Sequence, residues 1–428
     1  MSQSHYSLAA LLLALGCGGA APPPTAPVAS STPCPVTPPV AAPSAAPVAA
    51  TPPAAAALTQ GVSVGLKNPL AVARTAETIS VRLSDALKVL PALKVANLIV
   101  QDATGGAVLS QLVDSDGDGK PDELVFQADF QPSENKTFLI GEGSRATPTR
   151  DQYKVYGRFV RERHDDFAWE NDRIAHRMYG PALETWKADP LTSSGIDVWV
   201  KRTPRLVVNE WYQSDDYHRD NGDGADFYSV GPSRGCGGVG VWDGKALHVS
   251  RNFTDTRVIA NGPVRLIFEL SYAPWDVGGG VKVSETKRVI ADAGQHFDRF
   301  ESSFKISGKA HGQALAIGIA KHAGGVFETD QARGIMRSWE PYPEGNGHLG
   351  CAVITVSAPA SGFAENANDR LLLTALPASA PAAYLAGTGW DKSGHVADSA
   401  AWTAMVNSAA DNAHSPIVVS LSARTGAP

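Results

Sequence analysis

From Gly238 onward the chain is a succession of short apolar runs, rich in β-branched and aromatic residues and separated by turn residues. Such runs are typical of β-strands, because these side chains pack well on a pleated sheet. With few credible helices among them, so many strands favour sheets that bury their apolar faces against one another. The sequence therefore predicts an all-β protein whose main domain, residues 146–428, is a large antiparallel β-sandwich. The runs are GVGVWDG, KALHVSRNF, GPVRLIFELSYAPW, GGVKVSETKRVIADA, QHFDRFESSFKI, QALAIGIAKH, GCAVITVSA, DRLLLTALP and PIVVSLSA.

A small β domain is predicted ahead of the sandwich, at residues 61–145. A short helix between Ser84 and Leu93 is expected there, and Pro91 would end it early. A helix is also expected near the end of the chain, in residues 399–408. The further segments with strand character are TISVRL, ANLIVQD, AVLSQLVD, ENDRIAHRMY, SGIDVWVKR and RLVVNEWY.

Residues 1–17 have the pattern of a bacterial lipoprotein signal peptide. Their apolar run is too short to span a bilayer, and Gly16 and Cys17 resemble a lipobox, in which the cysteine is acylated. An ordinary secretory signal is the alternative. Residues 18–60 are rich in Ala and Pro, which predicts a disordered linker. We therefore expect an exported protein, lipid-anchored to a bacterial membrane, either periplasmic or at the cell surface.

The net charge and the spacing of the cysteines limit which partners and cofactors we expect the protein to bind. A net charge of -6 and a pI near 6.0 provide no basic field, so nucleic acid is not expected as a partner. The sequence contains no CxxC or HExxH spacing, so a zinc site has no support. Cys236 and Cys351 could form a disulfide after export or remain two buried thiols, and the sequence leaves both open.

A loop of alternating aspartates predicts a structural calcium site. The segment DSDGDGKPDELVF matches the first nine positions of an EF-hand loop, but Val125 occupies position twelve, where that loop needs a bidentate Glu. Strand-like residues flank the loop, as in calcium-binding β-hairpin loops. An Asp/Gly-rich hairpin without metal is the alternative. The expected ligands are Asp114, Asp116, Asp118, the carbonyl of Lys120, and Asp122.

The segment from Arg161 to Gly180 is unusually rich in ionisable residues. Eleven of its twenty residues are charged or histidine, whereas charged residues make up 19% of the chain. Phe167, Trp169 and Tyr179 lie among them, which favours a polar site on an apolar scaffold over a solvated face. We expect a strand whose charged side chains line a groove.

A second polar cluster lies between Ser214 and Gly238, in SDDYHRDNGDGADFYSVGPSRGCGG. Its glycines allow sharp turns and close approach of the backbone to a ligand. A substrate site is our first interpretation. A solvated surface loop and a metal site formed by His218 and aspartates are the alternatives.

Four segments, FVRERHDDFAWENDRIAHRMYGPAL, SGIDVWVKR, YHRDNGDGADFYSVG and NGPVRLIFELSY, resemble an uncharacterised family of exported bacterial proteins. It is a domain of unknown function found in polysaccharide-degrading bacteria, and the resemblance extends from about Val64 to the C-terminus. By analogy, it implies that the body looks like the galactose-mutarotase-like super-sandwich of several polysaccharide lyases and sugar epimerases. The resemblance brings no catalytic assignment.

The first functional hypothesis is lyase-type β-elimination at a uronic acid of an acidic polysaccharide or oligosaccharide. This reaction needs groups that neutralise the carboxylate, a base for the C5 proton and an acid for the leaving oxygen. His218 is the candidate base, Tyr217 or Tyr228 the candidate acid, and Arg163 and Arg173 would neutralise the carboxylate. Further candidates are Glu170 for catalysis and Trp169, Asn171, Asp172, Trp211 and Asp226 for substrate binding.

Two alternatives belong to other classes. A glycoside hydrolase or sugar epimerase would use paired carboxylates from Asp165, Asp166, Glu170, Asp172, Asp220 and Asp226. A non-catalytic glycan-binding surface lipoprotein would need aromatic platforms without a matched acid and base. Convergence of His218, a tyrosine and the Arg163 segment in one place would favour an enzyme over a binding protein.

Overall fold

The computed structural model describes residues 58–214, 216–309 and 311–426. The predicted signal peptide, the predicted lipidation site Cys17 and most of the predicted linker lie outside these residues. The helices of the described part are α1 (Leu83–Val89), α2 (Val208–Ser214) and α3 (Ser399–His414).

The strands through the first half of the described chain are β1 (Gly61–Lys67), β2 (Arg74–Arg82), β3 (Leu98–Gln101), β4 (Ala107–Val108), β5 (Ser110–Val113), β6 (Glu123–Phe130), β7 (Asn135–Glu142), β8 (Val155–Val160), β9 (Asp166–Asn171), β10 (Ile174–Met178), β11 (Asp197–Lys201), β12 (Gly224–Ala225) and β13 (Cys236–Trp242). Those that follow are β14 (Leu247–His248), β15 (Asp255–Asn261), β16 (Arg265–Asp276), β17 (Lys282–Asp292), β18 (Phe297–Ser307), β19 (Ala314–Ala320), β20 (Val326–Asp330), β21 (Ile335–Pro341), β22 (His348–Thr355), β23 (Gly362–Glu365), β24 (Asp369–Ala375), β25 (Ala382–Trp390) and β26 (Val418–Arg424).

The largest part of the fold is a sandwich of two antiparallel sheets. One sheet has the strand order β14-β13-β19-β24-β23 and the other β15-β16-β17-β18-β25-β22-β21-β20. The predicted all-β sandwich is thereby confirmed. Its core is continuous between the two sheets and includes Val241, Ile317, Leu372, Phe268, Val289 and Val353.

Strand β17 shows how alternation produces this core. Every second side chain of KVSETKRVIAD is buried, as expected for a strand with one face on the core. Two of the inward residues are charged, Glu285 and Lys287. They form a 2.6 Å ion pair, and Ser302 Oγ donates a further hydrogen bond to Glu285. Burial of these charges is tolerated because each has a partner.

A disulfide joins the two sheets of the sandwich. Cys236 on β13 and Cys351 on β22 are bonded, with their Cα atoms 5.7 Å apart. Both residues are buried in the core. Of the two alternatives that the sequence left open, the structure has the disulfide.

The first strands build a separate apolar core. Sheets β26-β1-β7-β3-β4 and β2-β6-β5 enclose it together with α1. The last strand, β26, is antiparallel to β1, with Gly61 opposite Arg424. Helix α1 ends at Val89, two residues before Pro91, as the sequence predicts.

The charged segment 161–180 belongs to a further five-stranded sheet, β12-β11-β10-β9-β8. Strands β9 and β10 form a hairpin in which Glu170 pairs with Ala175 and Phe167 with Met178. One face of this sheet packs on the sandwich, where the rings of Phe167 and Phe268 stack 4.0 Å apart.

The other face of this sheet is covered by α2, which corrects the expected strand in RLVVNEWY. The backbone N–H groups of Val207 and Val208 donate to the Glu170 carboxylate at 2.8 and 2.7 Å. Trp211 then packs on Trp199 of β11. The β-branched residues favour a strand locally, but these buried contacts with distant residues select the helix.

Helix α3 covers the outer face of the eight-stranded sheet and is six residues longer than expected. Its N-cap, Asp398, accepts a hydrogen bond from Ala401 N at 2.8 Å. Trp402, Val406 and Ala410 recur at helical spacing and are buried against the sheet. Within the described residues, no helix is both long and apolar enough to cross a membrane.

Candidate functional site

Strand β9 buries its charged side chains instead of lining an open groove. All six residues from Asp166 to Asn171 are buried, because the sandwich covers one face of the sheet and α2 the other. A buried charge is costly without a partner. The contacts of each candidate residue in this segment therefore decide whether it is paired inside the protein or can face a substrate.

Glu170, a predicted catalytic residue, is part of an internal ion pair. Its Oε2 lies 2.6 Å from Lys201 Nζ, and its carboxylate also accepts the two amides at the start of α2. Only 1% of Glu170 is exposed. The carboxylate therefore anchors α2 and has no substrate-facing surface in this structure.

The two predicted sugar-stacking tryptophans, Trp169 and Trp211, are also buried. Trp169 donates through Nε1 to Asp298 Oδ2 at 2.7 Å and packs against Phe268. Trp211 packs against Trp199. Their faces are occupied by protein, so neither ring presents a platform to a sugar.

Asn171, Asp172 and Arg173 fix the turn of the β9–β10 hairpin. The amide of Asn171 donates to the carbonyls of Asp292 and Gln295, each at 2.9 Å. Asp172 accepts a hydrogen bond from Gly294 N at 2.6 Å. Arg173 Nη1 lies 2.7 Å from His395 Nε2. These contacts hold the hairpin on neighbouring loops and place Arg173 beside His395, not beside His218.

Four other predicted residues do converge. The Tyr217 ring lies 4.3 Å from the His218 ring, and the Arg163 guanidinium lies 5.1 Å from the Tyr217 ring centre. His218 Nδ1 is 3.1 Å from the Asp226 carbonyl oxygen and 3.6 Å from Asp226 Oδ2. The His218 side chain is 65% exposed. The structure therefore brings the segments around Arg163 and His218 together at an accessible point.

Beneath this point, one arginine is shared by three aspartates. Arg177 Nη2 lies 2.6 Å from Asp197 Oδ2 and 3.3 Å from Asp226 Oδ2, and Arg177 Nε lies 3.9 Å from Asp166 Oδ2. Arg177 Nη1 also donates to Tyr217 Oη at 3.4 Å. The guanidinium thus links the buried carboxyl groups to the buried Tyr217, which lies beside His218.

The electrostatics of this cluster favour a retained proton. Burial raises the pKa of Asp166 to about 7, although Arg177 opposes the shift. Burial also raises the pKa of Asp226 well above its ordinary value, and Asp197 adds to the effect. Burial opposes the charge of Arg177, but Asp197 and Asp226 hold its pKa well above the usual value. One guanidinium carries a single positive charge against three carboxylates, which favours protonation of one of them.

The backbone beside this cluster is strained. His164 and Asp165 have φ values of 57° and 64°, which side-chain-bearing residues rarely adopt. Gly180 packs so closely that a Cβ there would lie 1.8 Å from the Asp165 carbonyl oxygen. Gly180 N also donates to Asp166 Oδ1 at 2.8 Å. Beside them Trp186, 40% exposed, stacks on the His164 ring and offers an aromatic surface.

Tyr228, the other candidate acid, lies elsewhere. Its ring is 4.9 Å from that of His322, and its hydroxyl is 3.8 Å from Cys351 Sγ. Burial raises its pKa well above the ordinary value. These contacts place Tyr228 beside the disulfide, so Tyr217 is the tyrosine that accompanies His218.

In the aspartate loop, three of the expected ligands face one another. Oxygens of Asp114, Asp116 and Asp122 lie within 4.8 Å of one another. Asp118 instead accepts a hydrogen bond from Lys120 N at 2.8 Å. Asp114, Asp116 and Asp122 could contribute oxygen ligands to a cation such as Ca²⁺.

Arg177 and Asp197 were not among the site residues predicted from the sequence. Asp197 could have been identified, because it interrupts the apolar run IDVWV and is therefore expected to be buried. A buried acid requires a cationic partner. That the partner is Arg177 follows only from the register of β10 and β11, in which the two residues are opposite.

Fold and site together define an all-β sandwich protein with an accessible histidine beside a buried tyrosine and a buried cluster of acids. The chain belongs to the family described as a domain of unknown function (DUF4861), whose model matches residues 66–419. It is similar to "Uncharacterized protein P7" of Formosa agariphila, with 31% identity over 376 residues, covering 84% of this chain and 93% of the relative.

Two solved structures from Enterococcus faecalis are also similar. One is an alpha-mannosidase, with a TM-score of 0.47 and 10% identity, covering 86% of this chain and 46% of that one. The other is a glycosyl hydrolase family 38 protein, with a TM-score of 0.48 and 12% identity, covering 88% of this chain and 48% of that one. The present chain spans less than half the length of each.

Proposed function

We propose that this protein is an exported, carbohydrate-active enzyme, lipid-anchored through Cys17, that cleaves acidic glycans by β-elimination at a uronic acid. The supporting observation is that Tyr217 contacts both His218 and Arg163. A base, an acid and a cation, the three groups that this reaction needs, therefore lie side by side.

Each group has a role that its contacts support. His218 Nδ1–H donates to the Asp226 carbonyl, so the neutral ring has an unprotonated Nε2 that accepts the C5 proton. Burial raises the pKa of Tyr217, so the phenol keeps its proton. Only 6% of Tyr217 is exposed, so donation of this proton to the leaving oxygen requires the site to open to substrate. The Arg163 guanidinium pairs with the uronate carboxylate and stabilises the charge that develops there.

The raised pKa of Asp166, about 7, supports a second candidate function. A protonated carboxyl near ionised ones is the arrangement that glycoside hydrolases and some epimerases use for acid–base chemistry. The Asp166, Asp197 and Asp226 side chains are at most 3% exposed, so this chemistry requires the cluster to open to substrate.

The decisive measurement is turnover of purified protein on a panel of uronic-acid polysaccharides with a neutral polysaccharide as control. Each cleavage by β-elimination produces one unsaturated uronate, which absorbs in the ultraviolet, and one new reducing end. His218→Ala and Tyr217→Phe are each expected to reduce kcat/KM by at least about 100-fold. The thermal unfolding temperature should stay unchanged for His218→Ala, because that side chain is largely exposed.

The matched control is His311→Ala, which removes an exposed histidine far along the chain from this cluster. Reducing ends without the ultraviolet signal would favour the hydrolytic candidate. Binding of polysaccharide with no product of either kind would identify a glycan-binding protein. Full activity in both His218→Ala and Tyr217→Phe would contradict the assigned roles.

We also propose that the aspartate loop binds Ca²⁺ in a structural role. Asp114, Asp116 and Asp122 are the ligands that its geometry supports. Gly117 N and Gly119 N already donate to Asp114, and Ser115 donates to Asp122, which orders the loop around these carboxylates. A cation would relieve the repulsion between them.

Calcium at a hundred times its dissociation constant is expected to raise the free energy of unfolding by about 2.7 kcal/mol. Asp114→Asn should abolish the rise in unfolding temperature, whereas Asp189→Asn, which alters an exposed aspartate outside the loop, should retain it. An unfolding temperature that calcium and chelator leave unchanged would rule out the site.

A further inference from the structure

Trp186 is the most exposed tryptophan of the chain. All nine tryptophans lie within the described residues, and Trp186, at 40%, is the one that is exposed. Its ring stacks on that of His164, with the ring centres 4.3 Å apart. Among the described residues the indole has no other aromatic neighbour, and its Nε1–H donates to none of them. An apolar ring surface and an indole donor are therefore available to a ligand.

The turn that carries Trp186 is anchored to the body of the protein. Trp186 N donates to the Leu183 carbonyl at 3.2 Å, and the Leu183 side chain is buried in the sandwich core. The next residue, Glu184, accepts hydrogen bonds from Arg251 Nε and Asn252 N, each at 3.1 Å. The indole ring therefore lies on an ordered support, and a ligand that stacks on it need not order a loop.

His164, on which the Trp186 ring stacks, is held by an unfavourable backbone. His164 and Asp165 both have a positive φ, and Gly180 packs so closely that a Cβ there would lie 2.7 Å from the His164 carbonyl oxygen. Gly180 itself has a φ of −85°, which any residue can adopt, so glycine is needed there only for this close contact. A single exposed tryptophan needs no explanation, but backbone strain of this kind is concentrated at functional sites.

The stacked pair of Trp186 and His164 is connected to the site around His218. Arg163, which precedes His164 in the chain, lies 5.1 Å from the Tyr217 ring centre, and the Tyr217 ring lies 4.3 Å from that of His218. A glycan extends beyond the unit at which it is cleaved, and contacts with its remote units supply binding energy for the reaction. An exposed indole beside this site is suited to such a contact.

We propose that Trp186 is a sugar-binding platform for a remote unit of the acidic glycan, stacking on the apolar face of its pyranose ring, with Nε1–H available to a hydroxyl group. His164 is the positioning residue that keeps the indole ring in place. The proposal rests on the proposed action on uronic-acid glycans, and it adds a binding residue that contacts the glycan away from the reacting atoms.

The test uses the full chain carrying His218→Ala, so that binding is measured without turnover. The probes are hexasaccharides of mannuronic, guluronic, galacturonic and glucuronic acid, each followed by isothermal titration. We expect at least one probe to bind with one molecule per chain. Adding Trp186→Ala should weaken its binding about tenfold, whereas Trp186→Phe, which keeps an aromatic ring, should weaken it less. Val418→Ala, which shortens an exposed apolar side chain on β26, is the matched control and should bind as before.

Tryptophan fluorescence provides a readout that a merely structural role would not move. A sugar stacked on the exposed indole should change the emission, and Trp186→Phe should bind the probe but lose most of this change. Unfolding temperatures establish that each variant is folded, and if Trp186→Ala is not, Trp186→Phe decides the question.

No binding of any hexasaccharide, equal binding by Trp186→Ala, or a fluorescence change of the same size in Trp186→Phe would overturn the proposal. Turnover of uronic-acid polysaccharides by the unaltered protein is measured separately. Binding that depends on Trp186 without any unsaturated product would contradict only the proposed β-elimination. Turnover together with unchanged binding by Trp186→Ala would contradict only the platform.

Discussion

Lys201→Met is expected to destabilise the folded protein by about 3–5 kcal/mol, because it leaves the Glu170 carboxylate buried without its cation. Lys201 Nζ lies 2.6 Å from Glu170 Oε2 and also donates to the Asn171 carbonyl at 2.7 Å. The side chains of Lys201 and Glu170 have no exposed surface, so water cannot replace the lost partner. Urea denaturation followed by circular dichroism measures the change in the free energy of unfolding.

The double variant Glu170→Gln/Lys201→Met separates lost charge from lost packing. It should be more stable than Lys201→Met alone, because glutamine carries no charge and keeps one acceptor oxygen for an amide of α2. Arg205→Met is the matched surface control, since the Arg205 and Glu210 side chains are more than half exposed and their pair contributes at most about 1 kcal/mol. A Lys201→Met variant as stable as the Arg205→Met control would contradict the structural role of Glu170.

Removing the disulfide with Cys236→Ala/Cys351→Ala is expected to cost about 2–5 kcal/mol. The bond closes a loop of 115 residues, so its loss greatly increases the conformational entropy of the unfolded chain. It also removes the covalent link between the two sheets of the sandwich. Urea denaturation of the double variant, compared with the unaltered protein, measures the difference.

Reduction provides the control for this prediction. A thiol reductant should lower the stability of the unaltered protein toward that of the double variant, while leaving the variant itself unchanged. If the variant is as stable as the oxidised protein, the disulfide has no stabilising role. If the variant also loses stability in reductant, the effect arises from something other than this bond.

The strands of this protein could be predicted because their signal is local. Alternation in β17 specifies which face is buried, whereas the continuous apolar runs of β19 and β22 predict strands buried on both faces. Helix α2 could not be predicted in the same way, because it depends on Glu170. That carboxylate lies 37 residues earlier in the chain than the first amide it accepts.

The candidate site was predictable only in part, for a related reason. The density of charge in residues 161–180 indicated a special environment, but density alone does not distinguish buried ion pairs from an accessible site. Glu170 has its cation at Lys201, whereas His218 lies at the surface, and only the paired strands and α2 reveal this difference.

The pairing of β26 with β1 affects how the protein can be synthesised. Residues 418–424 are synthesised long after residues 61–67, yet they complete the sheet that contains residues 61–67. Until then, one edge of β1 exposes unpaired backbone groups that can pair with another chain. This sheet can therefore close only after β26 has been synthesised, so the core formed by the first strands is completed only once the strands of the sandwich have been translated.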